Sequence, residues 1–170
     1  MIERVSERIA LAIKAANPEE TNSVAVMKWE LSLIIHLVSI FIACSVVGLL
    51  TGKIEDTIIA FLAFVGIRFL SGGKHMKSLE GCLVVSVILI SIIPHIPISS
   101  RYILPINIFN AVSMALFAPL IREQTNISNR AIPYFKLVTI LLVSSNFLVN
   151  SLVLSLAFMS QALLIILWRR

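Results

Sequence analysis

Residues 58–93 read IIAFLAFVGIRFLSGGKHMKSLEGCLVVSVILISII, with a strongly apolar run on either side of a polar connector. The connector, Arg68–Cys82, holds the diglycine Gly72–Gly73, three cations, a histidine and a cysteine. A bilayer core about 30 Å thick is crossed by roughly 20 apolar residues in a helix. Two apolar runs joined by a short polar segment therefore predict two membrane helices and a loop.

The composition of the whole chain is typical of a polytopic membrane protein. Of its 170 residues, 58% are hydrophobic and 14% are charged, whereas a soluble globular protein carries about 25% charged residues. Mean hydropathy is +0.98. No polar stretch is long enough to build the core of a soluble domain. We expect a single integral membrane domain over residues 1–170, with a cytoplasmic or interfacial segment at residues 1–30 and transmembrane helices over residues 31–168.

The apolar runs predict an all-α fold with about six transmembrane helices. The runs are Leu31–Leu50, Ile58–Leu70, Leu83–Ile93, Ile103–Ile121 and Leu137–Trp168. The last run would be about 48 Å long as one helix at 1.5 Å per residue, which exceeds the bilayer core. We therefore divide it near residues 146–150 into a helical hairpin.

The first segment, Met1–Ala16, predicts an amphipathic helix that lies in the membrane interface. Its apolar residues recur every three or four positions: Ile2, Val5, Ile9, Ala12, Ile13 and Ala16. A helix packed on the protein's own cytoplasmic face fits this spacing equally well. Early charges and the lack of a continuous apolar stretch argue against a signal peptide. The stretch Asn17-Pro18-Glu19-Glu20 predicts the end of this helix and the start of the next, with Asn17 as N-cap and Pro18 at the first helical position.

Lysines and arginines alternate in number between successive connectors. The N-terminal segment has four, the connectors then have one, three, one, three and none, and the C-terminus has two. The positive-inside rule predicts that both termini and the Arg68–Cys82 connector are cytoplasmic. The net charge of +5 is scattered over short polar segments, which suits membrane orientation better than a nucleic-acid surface. We expect the bilayer, and no nucleic acid, as a partner.

Cys82 and His75 are the candidate catalytic residues. The thiolate is the reactive form of cysteine, and nearby cations or a helix N-terminus favour it. Ser78 is placed to cap a helix that begins at Leu79 and carries Cys82 at its first turn. His75 is placed to accept the thiol proton. Seven residues rise about 10.5 Å along a helix, so we expect His75 to lie outside that helix, in a loop that folds back.

Neighbouring residues add support to this pair. Gly72 and Gly73 permit the backbone conformations that such a loop needs. Arg68 lies near a span end, where it either snorkels to the interface or supports the site. Glu80 either orients His75 or is a solvated acid in the first helical turn. Taken singly, a cysteine at a helix end is usually a packing residue, and a histidine in a loop is usually solvated.

The remaining polar residues within apolar runs have structural explanations. Cys44 is expected to pack between helices, and we interpret both cysteines as free thiols. Gln161, Asn146 and Asn150 are expected in interhelical hydrogen bonds or in the turn of the hairpin. No His-Glu-x-x-His or paired-Asp motif occurs, so no metal or cofactor is expected.

The pattern R-x3-GG-x-H-x6-C, formed by Arg68, Gly72, Gly73, His75 and Cys82, resembles the accessory gene regulator B (AgrB) family of bacterial membrane endopeptidases. The likeness covers most of the chain: its length, an amphipathic N-terminus, a basic central connector and a terminal hairpin with QALLIIL. The central connector has fewer lysines than is typical of the family, which leaves the substrate open.

The resemblance implies a cysteine endopeptidase of the bacterial cell membrane that cleaves a small AgrD-like quorum-sensing propeptide at the cytoplasmic face. Cys82 would attack a peptide carbonyl, and His75 would act as base and then as acid. Arg68 and Gly73 carry over as supporting positions. The product would be a cyclic thiolactone or lactone, or a linear peptide. The oligomeric state is open, with a homodimer as one option. The alternatives are a small peptide transporter or permease component and a nonenzymatic membrane scaffold.

Overall fold

A computed structural model describes residues 1–73, 78–119 and 130–168, with side chains up to residue 167. Within these ranges the chain forms helices joined by turns, which confirms the all-α class. The helices are α1 (Ile2–Ala16), α2 (Val24–Leu50), α3 (Ile54–Ser71), α4 (Leu79–Ile92), α5 (Ile103–Phe117), α6 (Ile132–Ser144), α7 (Asn146–Val149) and α8 (Leu152–Trp168). Two short 3-10 helices, Ile93–His95 and Ser100–Tyr102, lie between α4 and α5.

Two helical stretches in the described ranges are long and apolar enough to cross a membrane, Val24–Leu50 and Ile132–Val149. The apolar helices Leu79–His95 and Leu152–Leu167 are shorter than the 18 residues taken as the minimum length of such a stretch. The membrane character predicted from composition thus has structural support, while the number of six transmembrane helices stays a prediction.

The prediction that Asn17 caps the second helix is wrong. The predicted end of the first helix at this stretch is confirmed: Asn17 is the C-cap of α1, and its backbone N–H donates to the carbonyl of Ile13 at 3.1 Å. The ammonium of Lys14 then donates to the carbonyls of Pro18 at 2.6 Å and Thr21 at 2.8 Å. These bonds satisfy carbonyls in the turn that follows α1, and the next helix begins at Val24.

The predicted end of the fourth run is also wrong, because α5 stops at Phe117 rather than at Ile121. Ala118 has an extended backbone, with φ −90° and ψ 152°. The residue before a proline avoids the helical region, because the proline ring clashes with it. Pro119 therefore ends the helix, and residues 120–129 lie outside the described part of the chain.

The division of the last apolar run is confirmed. α6 and α8 are separated by the single turn α7, and Asn150 ends that turn with a left-handed backbone at φ 55°. The buried Asn146 amide fixes the break. Its Nδ2 donates to Asn107 Oδ1 at 3.0 Å and to Ser155 Oγ at 2.8 Å. Its Oδ1 accepts the backbone N–H of Ser151 at 3.0 Å.

The chain divides into two compact units, Met1–Ala43 with His75–Val87 and Cys44–Lys74 with Ile88–Arg170. In the second unit, α8 and α6 each pack against both α3 and α5. The core of that unit is apolar and consists of Ile67, Met114, Ala118, Val143, Phe158, Ala162 and Ile165. Whether the chain acts as one integral membrane domain stays a prediction.

In the first unit, α1 is held by polar contacts as well as by packing. Lys28 of α2 forms an ion pair with Glu7 at 3.0 Å. Ile2, Ser6 and Ala10 are buried, so the buried stripe of α1 recurs every fourth residue. Three of the predicted apolar positions are substantially exposed instead: Val5, Ile9 and Ile13, at 39–41%. The helix is confirmed, and its place in the membrane interface stays a prediction.

We predict that Asn146→Leu lowers the free energy of unfolding in detergent. The variant leaves the Ser151 N–H without its side-chain acceptor, at a cost of about 1–3 kcal/mol, while Asn107 Oδ1 keeps the hydrogen bond from Ser155 Oγ at 2.8 Å. Asn150→Gly is the matched control, because glycine adopts a left-handed backbone without strain. A thermal or chemical unfolding series checks this. Equal effects of the two substitutions would contradict the role given to Asn146.

Candidate active site

The first turn of α4 carries Cys82, as the sequence predicts. The backbone N–H of Gly81 donates to Ser78 Oγ at 3.0 Å, and the N–H of Cys82 donates to the carbonyl of Ser78 at 3.2 Å. A serine side chain that accepts from the third helical residue is an N-cap. The predicted helix start at Leu79 and its cap are thus confirmed.

The Cys82 side chain is 4% exposed. It is followed along α4 by Leu83, Val84 and Val85. The cysteine therefore lies where the polar connector gives way to the apolar run, and its sulfur has little access to bulk solvent. A group that reacts in such a position is shielded from competing water.

His75 is among residues 74–77, which lie outside the described part of the chain. The contact between His75 and Cys82 stays a prediction.

Glu80 contacts the start of α1. Its Oε1 accepts the backbone N–H of Ile2 at 3.3 Å and is paired with the amino group of Met1. Glu80 is exposed and precedes the predicted span, which begins at Leu83. The hydrogen bond from the Met1 amino group lowers the pKa of the Glu80 carboxyl below its usual value, so it is ionised near neutral pH. These contacts tie α1 to the turn that holds Cys82.

In the second unit, α3 ends in the diglycine of the connector. Gly72 has φ 70° and Gly73 has φ 154°, backbone conformations that residues with a Cβ rarely adopt. The prediction that these glycines are needed for the path of the backbone is supported at both positions. A Cβ on Gly73 would lie 3.3 Å from Nη1 of Arg68 and 3.6 Å from Nε2 of Gln161.

Gln161 of α8 is the residue whose contact with this segment the sequence analysis missed. Its Nε2 donates to the carbonyl of Gly72 at 2.9 Å and to Ser71 Oγ at 3.0 Å. Its Oε1 accepts from Nη1 of Arg68 at 3.4 Å. The signal in the sequence was a lone amide in an apolar run, which predicts a buried hydrogen bond without naming its partner.

Cys44 is a packing residue, as predicted. It is 1% exposed, and Ser91 Oγ lies 4.0 Å from its sulfur. Both cysteines are free thiols. Among the described residues, no group of three or more His, Cys, Asp or Glu side chains is placed to hold a metal ion.

Comparison with known proteins decides the family. The family model for Accessory gene regulator B, AgrB, matches residues 6–169. The chain belongs to the AgrB family. It is 35% identical over 102 residues to a putative AgrB-like protein of Halalkalibacterium halodurans, a match that covers 60% of this chain and 52% of that protein. The chain thus aligns with about half the length of this relative. No solved structure shows a significant match.

We predict that Gly73→Ala lowers the free energy of unfolding. A Cβ at φ 154° is strained and meets Arg68, at a cost of about 1–3 kcal/mol. Gly66→Ala on α3 is the matched control, because its Cβ meets nothing within 4 Å and alanine favours a helix by about 1 kcal/mol over glycine. Unfolding in detergent compares the two. If the Gly73→Ala protein has the same free energy of unfolding as the wild type, the constraint that we place on the backbone at Gly73 is contradicted.

Proposed function

We propose that this AgrB-family chain is a membrane-embedded cysteine endopeptidase. Its substrate is a small AgrD-like quorum-sensing propeptide, which it cleaves at the cytoplasmic face of the bacterial cell membrane. The observation that carries the proposal is the position of Cys82 in the capped first turn of α4, within a chain that matches the family over residues 6–169.

The reaction follows from the chemistry of a thiol beside an imidazole. His75 accepts the proton of Cys82, and the thiolate attacks the carbonyl carbon of the scissile amide. The tetrahedral intermediate collapses as His75 gives that proton to the leaving amine. The C-terminal fragment departs, and the N-terminal fragment remains on Cys82 as a thioester. This transfer of the acyl group from the amide nitrogen to sulfur needs neither a metal nor a nucleotide.

The thioester is resolved by one of two nucleophiles. A thiol or hydroxyl of the bound fragment gives a cyclic thiolactone or lactone, whereas water gives a linear acid. The low exposure of Cys82, at 4%, supports cyclisation, because a shielded thioester meets few water molecules. We therefore propose that the cyclic product predominates.

The amphipathic helix α1 is proposed to help position the propeptide. Glu80 accepts the backbone N–H of Ile2 at 3.3 Å, so the helix start lies beside the turn that carries Cys82. Its exposed residues Val5, Ile9 and Ile13 offer an apolar surface to the bilayer or to an apolar segment of the substrate. Arg68 and Gly73 are proposed as supporting positions, by the resemblance of the motif.

Co-expression with the candidate propeptide tests the catalytic pair. We predict that the wild-type chain cleaves the propeptide and that Cys82→Ala and His75→Ala both lose cleavage, because one lacks the nucleophile and the other lacks the base. Cys44→Ala is the matched control, since it removes the other buried thiol, and it should retain cleavage. Mass spectrometry of the propeptide provides the readout, with membrane insertion of each variant verified.

Full cleavage by the Cys82→Ala protein would contradict the endopeptidase proposal. Cleavage in none of the proteins, together with appearance of the intact propeptide outside the cell, would favour the peptide-transporter alternative. If Cys82→Ala has no effect on either process, the nonenzymatic scaffold is the better explanation.

A further inference from the structure

An apolar groove opens on the surface of the second unit, between the start of α5 and α8. Its volume is about 470 Å³, within the range of about 300–1,000 Å³ that is typical of ligand sites. Tyr102 is 46% exposed and Phe109 is 40% exposed, so the groove is open to the surroundings of the protein. The wall is formed by Ile98, Tyr102, Pro105, Ile106, Phe109 and Met159.

The groove runs along one face of α5 from the N-terminal end of that helix. Tyr102, Ile106 and Phe109 follow one another at spacings of four and three residues, which places them on one side of a helix. The chain rises about 10 Å from Tyr102 to Phe109. Tyr102 directly precedes the apolar helix, and tyrosine is enriched where water meets lipid. The groove therefore leads from the expected interface towards the interior of the bilayer.

A positive charge lies at the interfacial end of this groove. The guanidinium carbon of Arg101 lies 5.1 Å from the centroid of the Tyr102 ring, a distance at which a cation is attracted to an aromatic face. Within the described ranges, Arg101 forms no ion pair with a carboxylate. Residues 93–102, which include both 3-10 helices, contain no aspartate or glutamate. The exposed charge of Arg101 is thus available to an anion from outside the chain.

We propose that the groove binds an anionic phospholipid, with an acyl chain against the apolar wall and the lipid phosphate at the guanidinium of Arg101. A guanidinium presents its N–H donors in a fork that matches phosphate oxygens. A zwitterionic headgroup carries a cation beside its phosphate, and residues 93–102 offer no carboxylate to neutralise that cation. The charge at the groove therefore favours a lipid with a net negative charge, such as phosphatidylglycerol.

An extended peptide fits this wall less well than an acyl chain. Its backbone N–H and C=O groups need hydrogen bonds, because burying them unpaired among apolar groups is costly. Among the lining side chains only the Tyr102 hydroxyl can form one, whereas an acyl chain needs none. The proposal stands apart from the proposed function, since none of the lining residues belongs to the proposed catalytic motif.

Native mass spectrometry of the purified chain tests the headgroup, in titrations with phosphatidylglycerol and phosphatidylcholine that carry the same acyl chains. The wild type should bind phosphatidylglycerol more tightly. Arg101→Gln should lower that affinity by about tenfold, the effect of one lost charge-assisted hydrogen bond, and should leave the affinity for phosphatidylcholine nearly unchanged. Lys53→Gln is the matched control, because Lys53 is also an exposed cation between predicted spans. It should keep the preference.

Ile106→Trp tests the apolar wall, because the larger side chain fills part of the groove. It should weaken the binding of both lipids. Ile108→Trp is the matched control, since Ile108 lies on the same helix, is 51% exposed and does not line the groove. It should bind both lipids as the wild type does. Met159→Phe fills the groove from α8 and provides the readout if Ile106→Trp fails to fold.

A preference that is lost in Arg101→Gln and kept in Lys53→Gln, with weaker binding in Ile106→Trp and not in Ile108→Trp, supports the proposal. Equal affinity of the wild type for the two lipids overturns it, as does a preference that Arg101→Gln retains. The proposal is also overturned if Ile106→Trp leaves lipid binding unchanged and instead abolishes propeptide cleavage or dissociates a dimer. The groove would then hold a peptide or a second copy of the chain.

Discussion

The hydrogen bonds of the backbone have to be satisfied within the protein wherever the surroundings are apolar. A helix meets this requirement for its interior but leaves carbonyls unpaired at its end. Two of the helix ends in the second unit are completed by a buried side-chain amide. Gln161 donates to the Gly72 carbonyl at the end of α3, and Asn146 accepts the backbone N–H of Ser151 just before α8. Each of these two breaks thus depends on the side chain of a single residue.

The two amides differ in the part of the chain that each one directs. The break at Asn146 leads directly into α8, and Ser151 and Ser155 complete the hydrogen bonds of the Asn146 amide. The role of Asn146 is therefore to fix the turn that joins α6 to α8. The break at Gln161 concerns the diglycine, beyond which lies the histidine of the proposed site. The same physical device therefore completes both breaks.

Much of the fold was predictable because its signals are local. Ser78 before an apolar run indicated the start of α4 and the place of Cys82, since an N-cap is a contact within one turn. Asparagines in a run too long for one span indicated the hairpin. The errors at Asn17 and at the end of α5 were also local, because lysine contacts and a proline outweighed simple capping and hydropathy rules.

The contact of Gln161 with Gly72 could not be predicted, because it joins residues 89 positions apart. The sequence pattern indicates that a polar side chain in an apolar helix needs a hydrogen-bond partner, but it leaves open which residue is that partner. For the same reason the sequence could rank His75 and Cys82 as a pair by chemistry and motif, while their distance depends on a fold that hydropathy does not specify.

The measurement that tests the central claim most directly is capture of the acyl-enzyme. The purified chain would be mixed with a propeptide that is labelled on the N-terminal side of its cleavage site, quenched in acid, digested and examined by mass spectrometry. The account predicts a hydroxylamine-sensitive adduct on the peptide that contains Cys82. Cleavage of the propeptide with the label never found on Cys82 would contradict it.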